Sequence, residues 1–89
     1  MSVKILVVDD SLTMRRINIK SLKKLGFEDI DEAENGMVAL DAAQKNDYQL
    51  ILLDINMPIM NGFECLDALK KSEQTRDVPV IIVTSESNK

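Results

Sequence analysis

Three carboxylates stand where two apolar runs stop. Val3–Val8 leads into Asp9 and Asp10, and Leu50–Leu53 leads into Asp54. Like charges brought together repel one another unless a cation sits among them, and a hard divalent ion takes oxygen ligands while keeping several waters. Mg²⁺ is the expected ion, with two direct carboxylates and a backbone carbonyl as a suitable ligand set. Taken singly, each acid has a plainer reading: Asp9 and Asp10 as a helix cap followed by a surface charge, Asp54 as an ordinary strand end. Their convergence is the argument for chemistry.

That convergence depends on the elements that deliver them. Runs this short, rich in Val, Ile and Leu, read as strands buried on both faces of a parallel sheet, whose carboxyl ends open onto the ligand crevice. After the first strand, Asp10 and Ser11 cap a helix through Leu25, and Gly26 stops it. Met14, Ile17, Leu22 and Leu25 are expected on its inner face, with Leu12 and Ile19 off that stripe. Arg15, Arg16, Lys20, Lys23 and Lys24 are expected to be solvated. Phe27–Glu34 reads as a polar edge strand, and Asn35-Gly36 as a turn into a second helix to about Asn46, with Met37, Leu40 and Ala43 inward. Tyr48–Asp54 is the third strand. Met57-Pro58 and Asn61-Gly62 bracket a loop before a third helix marked by Phe63, Leu66 and Leu69, which ends near Ser72, and Val78–Val83 is a fourth strand ending at Thr84. Strand and helix alternate throughout, which implies a parallel sheet with right-handed crossovers.

The 89 residues allow one domain, 1–89, and a net charge of -4 argues against direct nucleic-acid binding. No apolar run approaches the ~20 residues that span a bilayer, and the opening segment is too short for a secretory signal. Cys65 has no partner for an internal disulfide and is expected to be a small packing residue, so a cytoplasmic location is the default. The chain has no His, which removes His-based metal sites and Ser-His or Cys-His nucleophiles.

Several separated segments carry a family resemblance in order. Val-Val-Asp-Asp at 7–10, Ser-Leu-Thr-Met-Arg-Arg-Ile at 11–17, Glu-Ala-Glu-Asn-Gly at 32–36, Leu-Asp-Ile-Asn-Met-Pro-Ile-Met-Asn-Gly at 53–62 and Val-Ile-Ile-Val-Thr-Ser-Glu at 80–86 resemble the receiver domain of two-component response regulators, with the single-domain chemotaxis receivers as the nearest likeness. The resemblance implies a flavodoxin-like α/β fold with strand order 2-1-3-4. It implies that Asp54 takes a phosphoryl group from a histidine kinase. It also implies that Asp10 binds Mg²⁺ directly, Asp9 through water, and Asn56 through its backbone carbonyl. Thr84 corresponds to the hydroxyl that moves to the phosphoryl group, and the Asn56 and Glu86 side chains to positions that govern how water reaches the acyl phosphate. Such a domain is a phosphorylation switch with intrinsic phosphorylation and dephosphorylation chemistry, not a conventional enzyme. The basic first helix, from Arg15 to Lys24, is a solvated face that doubles as a partner-docking surface in this family.

The likeness stops at Glu86, short of the family's last helix-strand-helix, whose strand carries a phosphoryl-binding Lys and an aromatic switch residue; Lys89 does not stand in for that Lys. The expectation is therefore a receiver truncated after its fourth strand. That strand becomes an apolar edge, Val80 to Val83, through which the chain pairs with a second copy. The first rival reading is a self-associating module that no longer signals through phosphate. The second is a Mg²⁺-dependent phosphatase of the haloacid-dehalogenase type, disfavoured because Asn56 stands where its general acid is needed.

Overall fold

The computed structural model describes residues 3–55 and 60–83. Seven elements follow one another: β1 (Lys4–Val8), α1 (Leu12–Lys24), β2 (Asp29–Ala33), α2 (Gly36–Lys45), β3 (Leu50–Asp54), α3 (Gly62–Lys71) and β4 (Val80–Val83). The strands form one parallel sheet in the order β2-β1-β3-β4. This is the α/β, flavodoxin-like arrangement expected from the sequence. Among the described residues no helix is long and apolar enough to cross a membrane.

β1 shows why the sheet must be covered on both sides. Successive side chains of a strand point to opposite faces. Leu6 and Val8 pack with Ala39 and Ala43 of α2 and with Cys65 and Leu69 of α3. Ile5 and Val7 pack instead with Leu22 of α1. These four of the five β1 residues are at most 1% exposed, so after Lys4 the strand is an apolar run without alternation. Burial of this kind contributes roughly 1.5–3 kcal/mol per large aliphatic side chain.

Leu22 and Ala43 are buried as expected, while other positions on the faces of α1 and α2 differ from the sequence expectation. In α1 the sheet-facing stripe runs through Arg15, Asn18, Ile19 and Leu22, while Ile17 is 51% and Leu25 74% exposed. In α2 Ala43 is buried as expected and Leu40 is half-buried, but Met37 is 57% exposed and Gly36 and Ala39 join Ala43 on the buried face. In α3 Phe63 is 61% exposed, and Gly62, Cys65 and Leu69 form the inner stripe. α2 and α3 pack side by side through small residues, with Cys65 Sγ 3.9 Å from Gly36 O. A Cβ on Gly36 would sit 2.8 Å from the Met60 side chain.

Strand pairing also starts later than the apolar runs suggest. Phe27 donates its N–H to Leu22 O and Val78 donates to Thr75 O, so both residues close the preceding helix or turn and do not join the ladder. Asn35 and Asn61 are helix caps more than turn residues. Asn35 Oδ1 accepts from Val38 N, and Asn61 and Glu64 satisfy each other's backbone N–H groups in a capping box.

Candidate functional site

Asp9 lies one residue beyond β1 and Asp54 is the last residue of β3, one step past the Val8–Leu53 register pair. Parallel pairing therefore brings the two acids to the same end of adjacent central strands. Asp10 follows on the turn into α1. One carboxylate oxygen from each of Asp9, Asp10 and Asp54 lies within 4.8 Å of the others. Asp9 and Asp54 are each 1% exposed, whereas Asp10 is open to solvent.

Asp9 is held on several sides. Its N–H donates to Ala33 O of β2 at 3.1 Å. Its Oδ1 accepts the Ser11 N–H at 2.9 Å. Its Oδ2 is fully enclosed and has no hydrogen-bond partner among the described residues. Burial pushes the Asp9 carboxyl above the usual carboxylate range; the Ser11 N–H opposes this, the charges of Asp54 and Asp10 add to it, and Arg15 works against it. Two unit charges ~5 Å apart repel by about 3 kcal/mol at an effective dielectric of ~20. A buried carboxylate grouped with two further carboxylates fits a hard cation, which takes oxygen donors at this kind of spacing.

The far wall of the site is the backbone around β3. Gly62, the first residue of α3, donates its N–H to Ile55 O at 2.9 Å. A Cβ on Gly62 would meet Asp54 O at 2.6 Å and Ile55 Cα at 2.7 Å. The start of α3 thus lies in contact with the backbone at the end of β3. Asn56, with both its backbone carbonyl and its side chain, Met57-Pro58, Thr84, Glu86 and Lys89 lie outside the described residues.

Arg15 departs from its sequence reading as a solvated cation. Its side chain is 12% exposed. Nη1 donates to Asp9 O at 2.7 Å, and Nε pairs with Glu32 Oε1 of β2 at 2.9 Å. Neither Arg15 nor Glu32 was among the site residues expected from sequence. The signal that could have found Arg15 is helical spacing: seven residues before Leu22, it shares the face that meets the sheet. Cys65, at 0% exposed, is the small packing residue expected, and burial pushes its thiol up to about 11.

Comparison with known proteins places this geometry in context. The response regulator receiver domain family matches residues 5–89. The chain is 46% identical over 87 residues to a CheY chemotaxis protein homologue of Campylobacter jejuni, covering 97% of this chain and 67% of that protein. Among solved structures, the chemotaxis protein CheY4 of Vibrio cholerae superposes with a TM-score of 0.88 at 35% identity, covering 99% of this chain and 72% of that one. The response regulator TrrA of Thermotoga maritima, solved in complex with Mg²⁺-BeF, superposes with a TM-score of 0.87 at 38% identity, covering 98% of this chain and 72% of that one.

Proposed function

The chain belongs to the response regulator receiver domain family, and from that premise we propose that Asp54 is its phosphoacceptor, served by Mg²⁺ held among Asp9, Asp10 and Asp54. Receivers of this family are phosphoacceptor modules of two-component signalling. The observation that carries the reading is the approach of three carboxylates within 4.8 Å at the carboxyl ends of β1 and β3. The Mg²⁺-BeF complex of the Thermotoga maritima relative supports the choice of ion.

Mg²⁺, when bound, supplies the positive charge that lets an anionic phosphoryl group approach three carboxylates. The chain's own residues do the rest. The Asp54 carboxylate attacks phosphorus, forming an O–P bond as the P–N bond of a kinase phosphohistidine breaks, and the imidazole leaves with the electron pair and takes up a proton. Asp9 and Asp10 orient the site, Asp9 through its fixed backbone and Asp10 from the solvent side. The Asn56 carbonyl completes the ligand set, Thr84 follows the phosphoryl group, and Asn56 and Glu86 set its lifetime; the support for these assignments is the family pattern. On this reading residues 1–89 act as one cytoplasmic signalling unit of the chemotaxis type, not as a conventional enzyme.

The test is intact mass after incubation with Mg²⁺ and acetyl phosphate, alongside Asp54→Ala. A single phosphoryl adduct, absent in Asp54→Ala and in chelator, is the expected result. A folded, Mg²⁺-binding protein with no adduct would sink the reading. A second reading, self-association through β4, is favoured by one observation. Among the described residues β4 pairs only with β3, and Ile81 is 50% exposed.

A further inference from the structure

We propose that Arg15 and Glu32 are a positioning pair for the cation site, locking the Asp9–Asp10 peptide so that the Asp10 carboxylate stays against Asp9 and Asp54. The inference rests on the reading of the acidic group as a Mg²⁺ site. Asp9 O belongs to the peptide that joins the two acids, and that peptide is a rigid plane. Rotating it would swing the Cα–Cβ bond of Asp10, whose side chain is solvent-exposed and takes its place from the backbone before it. Arg15 Nη1 holds the carbonyl at 2.7 Å, and Nε is anchored on Glu32 at 2.9 Å. A planar guanidinium presents such donors in a fixed fork, which an ammonium does not.

The anchor is well chosen. Glu32 is paired with Val7 in the β1–β2 register and directly precedes Ala33, whose carbonyl accepts the Asp9 N–H. The N–H of Asp9 is therefore referred to Ala33 and its C=O, through Arg15, to the adjacent Glu32. The Arg15 and Glu32 side chains also border an open cleft of about 380 Å³ between α1 and the end of β2. Shortening Arg15 opens the carbonyl to water from this cleft, which can satisfy the freed acceptor while the peptide loses its fixed direction.

The sign of the effect separates positioning from simple charge. A guanidinium near a cation site repels the cation, so charge alone predicts that losing Arg15 tightens Mg²⁺ binding. Positioning predicts the reverse. Removal of a group that orients ligands costs about 10-fold or more in metal affinity.

The experiment is calorimetric titration of Mg²⁺ into the wild-type protein, Arg15→Ala, Arg15→Lys, Glu32→Gln and Arg16→Ala, with metal-free thermal stability measured in parallel. Arg15→Ala is expected to weaken binding about 10-fold. Arg15→Lys, which keeps the charge but loses the fork, is expected to weaken it in the same direction and decides the matter if Arg15→Ala does not fold. Glu32→Gln keeps an acceptor oxygen and is expected to lie closer to wild type. Arg16→Ala, an exposed charge on the next residue, is expected to leave affinity unchanged or slightly tighter. Unchanged or tighter binding in Arg15→Ala, or wild-type affinity in Arg15→Lys, overturns the proposal. So does a loss of stability without a loss of affinity, which makes the pair a strut alone. A wild-type protein that takes up no Mg²⁺ removes the underlying reading of the site, an outcome distinct from failure of the pair.

Discussion

The α-hydrogen side of Gly62 faces the carbonyl of Asp54 so closely that a Cβ there would lie 2.6 Å from that oxygen. The first residue of α3 is thereby a spacer for the end of β3. Gly62→Ala should force backbone movement at the acid and cost roughly 1–3 kcal/mol, as overpacking does. Urea denaturation measures the cost, and acetyl phosphate labelling should fall with it. A Gly62→Ala protein as stable as wild type would refute the spacer role.

Gly26 is the contrasting glycine. Its φ is 101° and a Cβ would meet nothing within 4 Å. Gly26→Ala should cost about 1–2 kcal/mol through left-handed backbone strain alone, with Mg²⁺ affinity unchanged. Denaturation and titration on one sample separate the two glycines.

Mg²⁺ should stabilise the folded chain by mass action, about 2.7 kcal/mol at one hundred times its Kd, and a chelator should reverse this. The effect should depend on pH with a defined sign. The Asp9 carboxyl is raised above its ordinary 3.8, chiefly by burial. Metal-free stability from this group is thus fully present below pH 3.8 and is lost as pH rises through the folded value. The Mg²⁺-induced rise in Tm should grow over the same interval, because the ion replaces the proton. Melting curves with and without Mg²⁺ across the acid range would show it; a pH-independent increment would count against Asp9 as a ligand.

Cys65 should resist alkylation at neutral pH in the folded chain and react once it is denatured. Its thiol moves from 9.0 to about 11 by burial, so its contribution to stability is intact below pH 9.0 and declines as pH rises through about 11. Tyr48 pulls the same way: burial first, then its bond to Asp31 Oδ2 at 2.7 Å, raises its phenol above the usual value. Stability of Cys65→Ala against pH should show a shallower alkaline decline than wild type.

If β4 is a pairing edge, Ile81→Lys should abolish self-association without disturbing the core, because Ile81 is half exposed and charged side chains blunt edges. Analytical ultracentrifugation of both proteins at high concentration is the check. A monomeric wild type would end the self-association reading.

Much of this was legible in the chain itself. Two apolar runs end in acids, and strand-helix alternation implies a parallel sheet, so the sequence alone groups Asp9, Asp10 and Asp54. Such patterns are local: strand burial shows as an unbroken run of Val, Ile and Leu. What only the tertiary structure decided was the helix faces and the second layer of the site. Ile17 and Met37 looked inward by hydropathy and are exposed, while Gly36 and Gly62 are buried where a Cβ would meet the Met60 side chain and the Asp54 backbone. Arg15 looked like one more solvated cation. Helical spacing puts it on the sheet-facing side, but only the placement of β2 beside β1 supplies the Glu32 carboxylate that draws it in, and a contact between residues brought together by a crossover leaves no mark in either one's neighbours along the chain.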